Sequence, residues 1–287
     1  VTRVQTKKMI DFTVSKIAQI IKGELFTPSG FLDHTILQII TDSRSFFKGE
    51  NSIFFALIGP RNNGHNYISD LIKKGFKTFV VSDSSIICND ATFLLVQNTT
   101  LALQELAAFN RQAFKIPVIG ITGSNGKTII KEWLHDLLSG EFKIVRSPKS
   151  YNSQVGVPLS VLLMNNIYNL GIFEAGISKP GEMANLEKII RPEIGILTNI
   201  GDAHQENFET YKQKINEKLI LFEKAKKLIY CVDNKKVKTE IENFCKNNLV
   251  ENIGWTLNYN NATISFSLNK QNDFTEINAL AKNKKYI

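Results

Sequence analysis

Cysteine is scarce in this 287-residue chain: Cys88, Cys231 and Cys245 are odd in number, far apart and without C-x-x-C spacing. That excludes a disulfide framework and a cysteine zinc site, and a reducing cytoplasm fits. No apolar run is long enough to span a bilayer, and the start shows no charged n-region followed by an apolar h-region, so membrane insertion and export are not expected. No basic stripe interleaved with aromatics is present. The net charge of +8 is spread along the chain, so it suits an anionic small substrate as well as a nucleic acid, and no nucleic-acid partner is expected. Internal repeats are missing, and low complexity is limited to local Asn/Lys enrichment near the end.

What remains is ordinary globular material, 43% hydrophobic and 22% charged, with length for about two domains. The feature that stands out is Gly120-Ile121-Thr122-Gly123-Ser124-Asn125-Gly126-Lys127-Thr128. It follows the apolar run Ile116 to Ile119 and precedes Ile129, Ile130, Trp133, Leu134, Leu137 and Leu138 at helical spacing. A strand delivering a glycine-rich turn into a helix start aims backbone N–H groups and the positive helix end at one spot, where polyphosphate binds. Gly123, Ser124, Asn125, Gly126, Lys127 and Thr128 form the expected ATP cradle, with Lys127 on the β/γ-phosphates and Thr128 on Mg²⁺. The G-x-x-x-x-G-K-[ST] pattern fails at one position, because Ile121 stands where its first glycine belongs and Gly120 lies one residue back.

Helices alternate with buried strands along the chain. Val14 to Ile21 reads as a helix closed by Gly23, and Ile36 to Ile40 and Ser52 to Leu57 read as strands around Asp42-Ser43-Arg44. A helix over Ile68 to Lys74, the strand Thr78 to Val81 and a helix from Leu101 to about Phe114 complete the first part. After the phosphate loop, strands are expected at Ile144-Val145, Leu170 to Phe173, Ile194 to Leu197 and Leu228 to Val232. This rhythm predicts an α/β protein: a small amino-terminal α/β domain over residues 1–113, and over 114–287 a central three-layer αβα P-loop domain with a mostly parallel sheet. From Trp255 the pattern alternates, suggesting a strand or hairpin that leads elsewhere.

Ligands of open parallel sheets collect past the carboxyl ends of the strands. Glu174, after Leu170 to Phe173, stands where an acidic metal ligand is held, though a buried strand-end Glu can equally cap a helix. His204, in the loop after Leu197, is by itself more often structural than a ligand. The loop Tyr151 to Pro158 reads alone as a turn before a helix.

Together these residues resemble the Mur ligase family, the ATP-dependent amide-forming enzymes of peptidoglycan precursor synthesis. Thr122 to Thr128 is similar to that family's form of the phosphate loop, which accounts for Ile121. Asn152 with Val155-Gly156-Val157-Pro158, the Glu174-x-Gly176 pair, and Thr198 to Gly201 with His204 follow in the family's order. Upstream, Asp42-Ser43-Arg44, Phe54 to Leu57 and Gly64-His65 resemble the domain that holds the UDP end of the substrate. Pro180-Gly181-Glu182-Met183 and the run from Asn199 to His204 are nearest to the branch that adds D-alanyl-D-alanine to a UDP-linked muramoyl tripeptide, a branch some bacteria fuse to alanine racemase. Ile129 and Ala175-Gly176-Ile177-Ser178 depart from the usual family residues without removing a proposed ligand.

The resemblance implies ATP and two Mg²⁺ ions as cofactors, with Thr128 and Glu174 holding one ion and His204 and a carbamylated Lys218 the second. Without the family spacing, Lys218 would read as a solvated helix lysine. It further implies Lys127, His204 and Lys218 as the catalytic set, Asn152 and Asn199 lining the reaction site, and Ser43, Arg44 and His65 at the UDP end. A UDP-linked muramoyl peptide and D-alanyl-D-alanine are the implied substrates, and a cytoplasmic monomer is expected. The family's third, carboxy-terminal domain has no counterpart in these residues, so the chain reads as part of a longer one that binds nucleotide without full turnover. Alternatives are another Mur-type or folylpolyglutamate-type amide ligase, a phosphate-loop kinase or GTPase, and a non-catalytic nucleotide-binding module.

Overall fold

The computed structural model describes residues 10–45, 51–201, 207–258, 262–273, 275–281 and 284–286. The chain divides into two compact units, Val1–Lys115 with Gln154–Ile167, and Ile116–Ser153 with Tyr168–Ile287.

The first unit contains β1 (Phe12–Thr13), α1 (Val14–Ile21), β2 (Glu24–Phe26), β3 (Thr35–Ile36), β4 (Gln38–Ile40), β5 (Ser52–Phe55), β6 (Ile58–Gly59), β7 (Asn62–Asn63), α2 (Ile68–Lys73), β8 (Thr78–Val81), β9 (Thr92–Leu95) and α3 (Thr99–Gln112). Its main sheet runs β2-β9-β8-β5-β4, parallel except for the β2–β9 edge. Strands β5 and β8 are buried throughout, as expected of central parallel strands covered on both faces. Phe54, Phe76, Phe79 and Phe93 form the centre of the core, with Phe79 and Phe93 stacked at 5.5 Å between ring centroids. Asn98 caps α3 by accepting from the N–H groups of Thr100 and Leu101. Helix α1 ends on Lys22, whose φ of 52° supplies the left-handed turn expected of Gly23. Gly23 serves packing instead: a Cβ there would lie 3.2 Å from Val96 and 3.4 Å from the Leu95 carbonyl.

A contiguous division at residue 113 differs from this packing. The chain leaves the first unit at Lys115 and returns for Gln154–Ile167, because the helix Gly156–Val161 (α5) packs on α3 with Val157 and Val161 fully buried. Asn110 Nδ2 donates to the Val161 carbonyl at 3.3 Å and Gln104 Nε2 to the Gln154 carbonyl at 3.0 Å, which fixes the return.

The second unit adds β10 (Val118–Thr122), α4 (Lys127–Leu138), β11 (Ile144–Arg146), β12 (Leu170–Glu174), α6 (Glu182–Ile190), β13 (Ile194–Leu197), α7 (Tyr211–Leu219), β14 (Lys227–Cys231), α8 (Lys235–Asn248), β15 (Glu251–Thr256), β16 (Ile264–Lys270), β17 (Thr275–Ala281) and β18 (Lys284–Tyr286). They form one nine-stranded sheet, β11-β12-β10-β13-β14-β15-β16-β17-β18, parallel as far as β16 and antiparallel beyond. The alternating run after Trp255 therefore stays with the sheet: Trp255 and Thr256 pair with Ile264 and Ser265, and the hairpin extends the edge.

Strand alternation sorts the two faces of β10. Ile119 and Ile121 join Leu170 and Ile172, against which Ile130, Leu134 and Leu138 of α4 pack. Ile129, Trp133 and Leu137, on the same expected apolar pattern, stay exposed at 57%, 65% and 79%. Gly120 points the other way and pairs with Gly195, and a Cβ on them would lie 2.8 Å from Pro192 and 2.4 Å from Phe222 respectively. Gly120 is thus a strand residue that admits a side chain from the covering layer, and the phosphate loop proper begins at Gly123. Among the described residues, no helix is long and apolar enough to cross a membrane.

Candidate functional site

Strand order places the site. β10 lies between β12 and β13, so its carboxyl end at Thr122 meets Glu174 on one side and Leu197 on the other. Connections leave in opposite directions from such a point, opening a crevice. Thr122 Oγ1 donates to the Ala175 carbonyl at 2.8 Å, tying the first two ends together.

Gly123 has φ 144° and Gly126 φ 81°, so the turn needs glycine at both positions. Gly126 is the N-cap of α4 and supplies no side-chain cap, which leaves first-turn N–H groups for an anion. The loop is braced from β13: Ser124 N donates to Asn199 O at 2.8 Å, Asn125 N to Asn199 Oδ1 at 2.9 Å, and Thr198 Oγ1 to Asn125 O at 2.6 Å. Gly201 N donates to Ser124 Oγ at 2.9 Å. Asn199 therefore holds the loop from beneath, with both its oxygens accepting from loop N–H groups.

Lys127 Nζ donates to the carbonyls of Gly123 at 2.8 Å and Ser124 at 3.3 Å. Burial lowers its pKa, with the Glu174 carboxylate opposing the shift. Thr128 Oγ1 donates to Glu174 Oε2 at 2.9 Å. Glu174 is fully buried, and its Oε1 has no hydrogen-bond partner. A buried carboxylate oxygen without a donor, next to a hydroxyl on a phosphate loop, is a donor set that suits a hard divalent cation. Asn152 packs on Gly176, two residues past this carboxylate: its carbonyl accepts from Gly176 N at 2.8 Å, and a Cβ on Gly176 would lie 3.0 Å from its Oδ1.

Lys218 is buried on α7, and its pKa is lowered to about 8 by burial first, then by the charges of Lys127 and Lys214. Glu217 beside it accepts from Met183 N at 3.2 Å. His204 lies outside the described residues. Among the described residues, no group of three or more His, Cys, Asp or Glu side chains forms a metal cluster.

In the first unit, Ser43 and Arg44 line a cleft of about 490 Å³ with Asp42, Leu57, Gly64 and Tyr67. Arg44 is exposed and forked onto Asp42, Nε to Oδ1 at 2.9 Å and Nη2 to Oδ2 at 2.7 Å, and these bonds hold the Asp42 carboxyl at about 2. His65 does not line the cleft. It is buried, its Nε2 accepts from Ser82 N at 2.9 Å, and that leaves Nδ1 as the donor to Asn63 Oδ1 at 2.7 Å. This arrangement needs the neutral ring, and burial lowers the His65 pKa below 6.5.

Since the unfolded chain then binds the proton more readily, His65 contributes its full stability above pH 6.5, and that contribution is lost as the pH falls toward the lower folded pKa. Urea unfolding between pH 7.5 and 5 is expected to show this decline in the wild type and a shallower one in His65→Gln. Equal slopes would contradict it.

A family model described as Mur ligase middle domain matches residues 121–286. The chain belongs to the Mur ligase family. Among similar curated proteins, one named UDP-N-acetylmuramoyl-tripeptide--D-alanyl-D-alanine ligase from Bacillus subtilis (strain 168) is 31% identical over 231 residues, covering 78% of this chain and 50% of that protein. A protein of the same name from Buchnera aphidicola subsp. Acyrthosiphon pisum is 33% identical over 202 residues, covering 70% and 43%. This Mur ligase chain spans about half the length of the curated relatives it matches. The crystal structure of MurF from Acinetobacter baumannii superposes with a TM-score of 0.85 at 22% identity, over 96% of this chain and 60% of that one, which shows a shared fold.

Proposed function

We propose that these residues bind ATP and the UDP-linked acceptor in a ligase of peptidoglycan precursor synthesis that joins D-alanyl-D-alanine to UDP-N-acetylmuramoyl-tripeptide. The observation that carries this reading is the hydrogen bond from Thr128 to the fully buried Glu174 at the mouth of the phosphate loop, in a family member whose relatives bear that name.

In the proposed reaction, a terminal carboxylate oxygen of the tripeptide attacks the γ-phosphorus of ATP. The bond to the β,γ-bridging oxygen breaks, and ADP and an acyl phosphate result. The amine of D-alanyl-D-alanine then attacks the acyl carbon and gives up a proton, the carbon–oxygen bond to phosphate breaks, and inorganic phosphate leaves with the amide formed. Such transfers are governed by positioning and charge. Lys127 meets the charge on the transferring phosphoryl group, and the first-turn N–H groups of α4 hold the phosphates. Thr128 and Glu174 would hold one Mg²⁺, which neutralises polyphosphate charge when bound.

Lys218 and His204 would serve a second ion. Only an uncharged amine adds to CO₂, losing a proton as the carbamate forms, and the lowered pKa of Lys218 favours that amine. Exposed Arg44, oriented by its fork onto Asp42 and with Ser43 beside it in the first-unit cleft, is assigned to the diphosphate of the UDP end. Asn199 is assigned to bracing the phosphate loop, and Asn152 to shaping the backbone just past Glu174.

Phosphate release by the polypeptide of the full reading frame tests the reaction. With UDP-N-acetylmuramoyl-tripeptide and ATP, release is expected to require D-alanyl-D-alanine and to fail with glutamate or a single amino acid. The present 287 residues are expected to bind a fluorescent ATP analogue without amine-dependent turnover. Release at the same rate without any amine would overturn the ligase reading in favour of a phosphate-loop hydrolase.

A further inference from the structure

Lys131 lies one turn beyond Lys127 on α4, and its side chain is fully buried. None of the roles above uses it. Its ammonium donates to the Ser147 carbonyl at 2.8 Å and to that of Lys149, and lies 3.1 Å from Glu132 Oε1 and 3.7 Å from Glu174 Oε1. Burying a lysine away from water is costly without an anion. Glu132 is 38% exposed and shared with Arg146, whose Nη2 is 2.9 Å from its Oε2. The fully buried anion facing Lys131 is therefore Glu174, through the oxygen that Thr128 does not engage.

Two lysine charges act on that carboxylate, Lys131 at 3.7 Å and Lys127. Lys127 interacts electrostatically with Glu174, and Lys218, before its carbamylation, with both Lys127 and Lys214. Lys214 is itself fully buried and donates to the Gly201 carbonyl, whose N–H group in turn meets Ser124 of the phosphate loop. A divalent cation entering on its own meets these charges at short range and low effective dielectric, whereas one entering with a polyphosphate brings the compensating charge.

We propose that Lys131 is the resident counter-cation of Glu174, stabilising the carboxylate before metal arrives and making metal entry conditional on nucleotide. It is a positioning residue, acting through Glu174 and through the Ser147–Lys149 carbonyls without touching substrate. The inference rests on the reading of Thr128 and Glu174 as the magnesium pair.

The test uses the 287-residue chain, with Mn²⁺ as the probe followed by electron paramagnetic resonance and by thermal melting, with and without a non-hydrolysable ATP analogue. The wild type is expected to bind Mn²⁺ weakly alone and more tightly with the analogue. In Lys131→Met, nucleotide-free Mn²⁺ affinity should rise roughly tenfold or more, as the repulsion at about 4 Å is removed. The analogue's enhancement should shrink, and Mn²⁺ should raise the melting temperature more than in the wild type. Adding Glu174→Gln to Lys131→Met should abolish these gains.

Unchanged nucleotide-free affinity in folded Lys131→Met would overturn the inference while leaving the magnesium reading intact. No nucleotide-dependent Mn²⁺ binding in the wild type would overturn the magnesium reading, and the inference with it. If Lys131→Met does not fold, recovery of folding with Mn²⁺ or with Glu174→Gln supports the counter-cation role. Failure of both would assign Lys131 to its carbonyl bonds alone and overturn the proposal.

Discussion

Lys127→Met is expected to lower phosphoryl transfer about a thousandfold in the polypeptide of the full reading frame, the size of effect seen when one preorganised charge or donor is removed from a developing anion. Its fold should persist. Lys127 Nζ is held by two loop carbonyls, Gly123 and Ser124, while the turn itself is held by backbone and side-chain bonds from Thr198, Asn199 and Gly201 that do not involve the ammonium. Methionine keeps most of the apolar stem, and loss of a partly desolvated charge removes a burial cost that the lowered pKa of Lys127 already registers. Phosphate release and urea unfolding measured side by side check both halves. Near-normal release would remove Lys127 from the reaction, and a large stability loss would make it a structural residue of the turn.

This separation of chemistry from scaffold also explains what the sequence discloses and what it conceals. The phosphate loop is legible because its mechanism is local: a buried strand, two glycines in positive-φ turns and a helix start occupy one continuous stretch. Glu174 is legible for a similar reason, since the apolar run before it ends at the edge where parallel sheets bind ligands. The brace is not, because Asn199 reaches the loop across 74 residues of chain.

The family resemblance implies His65 at the UDP end. The hydrogen bonds of its ring, to Asn63 on one side and from the Ser82 N–H, 17 residues away, on the other, come only with the fold. Lys131 looks like one more charge on the polar face of α4, and only the fold turns that face toward Glu174. The return of Gln154–Ile167 to the first unit has no local signal either, as a short apolar helix packs equally well on any complementary surface. Strands β2 and β9 are short runs whose period cannot separate strand from helix, so their existence depends on the sheet they join.

Gly123→Ala tests whether that brace is what shapes the loop. An added Cβ would lie 1.9 Å from Thr198 Oγ1, 2.9 Å from the Asn199 carbonyl and 3.0 Å from its nitrogen, at a φ of 144° that alanine rarely adopts. Thr198 has little freedom to yield, because its hydroxyl donates to the Asn125 carbonyl at 2.6 Å. Relief therefore requires the loop to leave β13, which breaks the bonds from Ser124 and Asn125 to Asn199 as well. Strain and lost hydrogen bonds together are expected to cost about 2–4 kcal/mol of stability. Affinity for a fluorescent ATP analogue should fall at least about a hundredfold, since the displaced N–H groups no longer converge on one anion. Removing the hydroxyl by Thr198→Ala in the Gly123→Ala background should recover part of the stability, about 1 kcal/mol of coupling in a double-mutant cycle. The contacts with Asn199 and the backbone strain would remain, so nucleotide affinity should recover far less. Additive effects of the two substitutions, or wild-type affinity in Gly123→Ala, would show that the loop closes on phosphate without its attachment to β13.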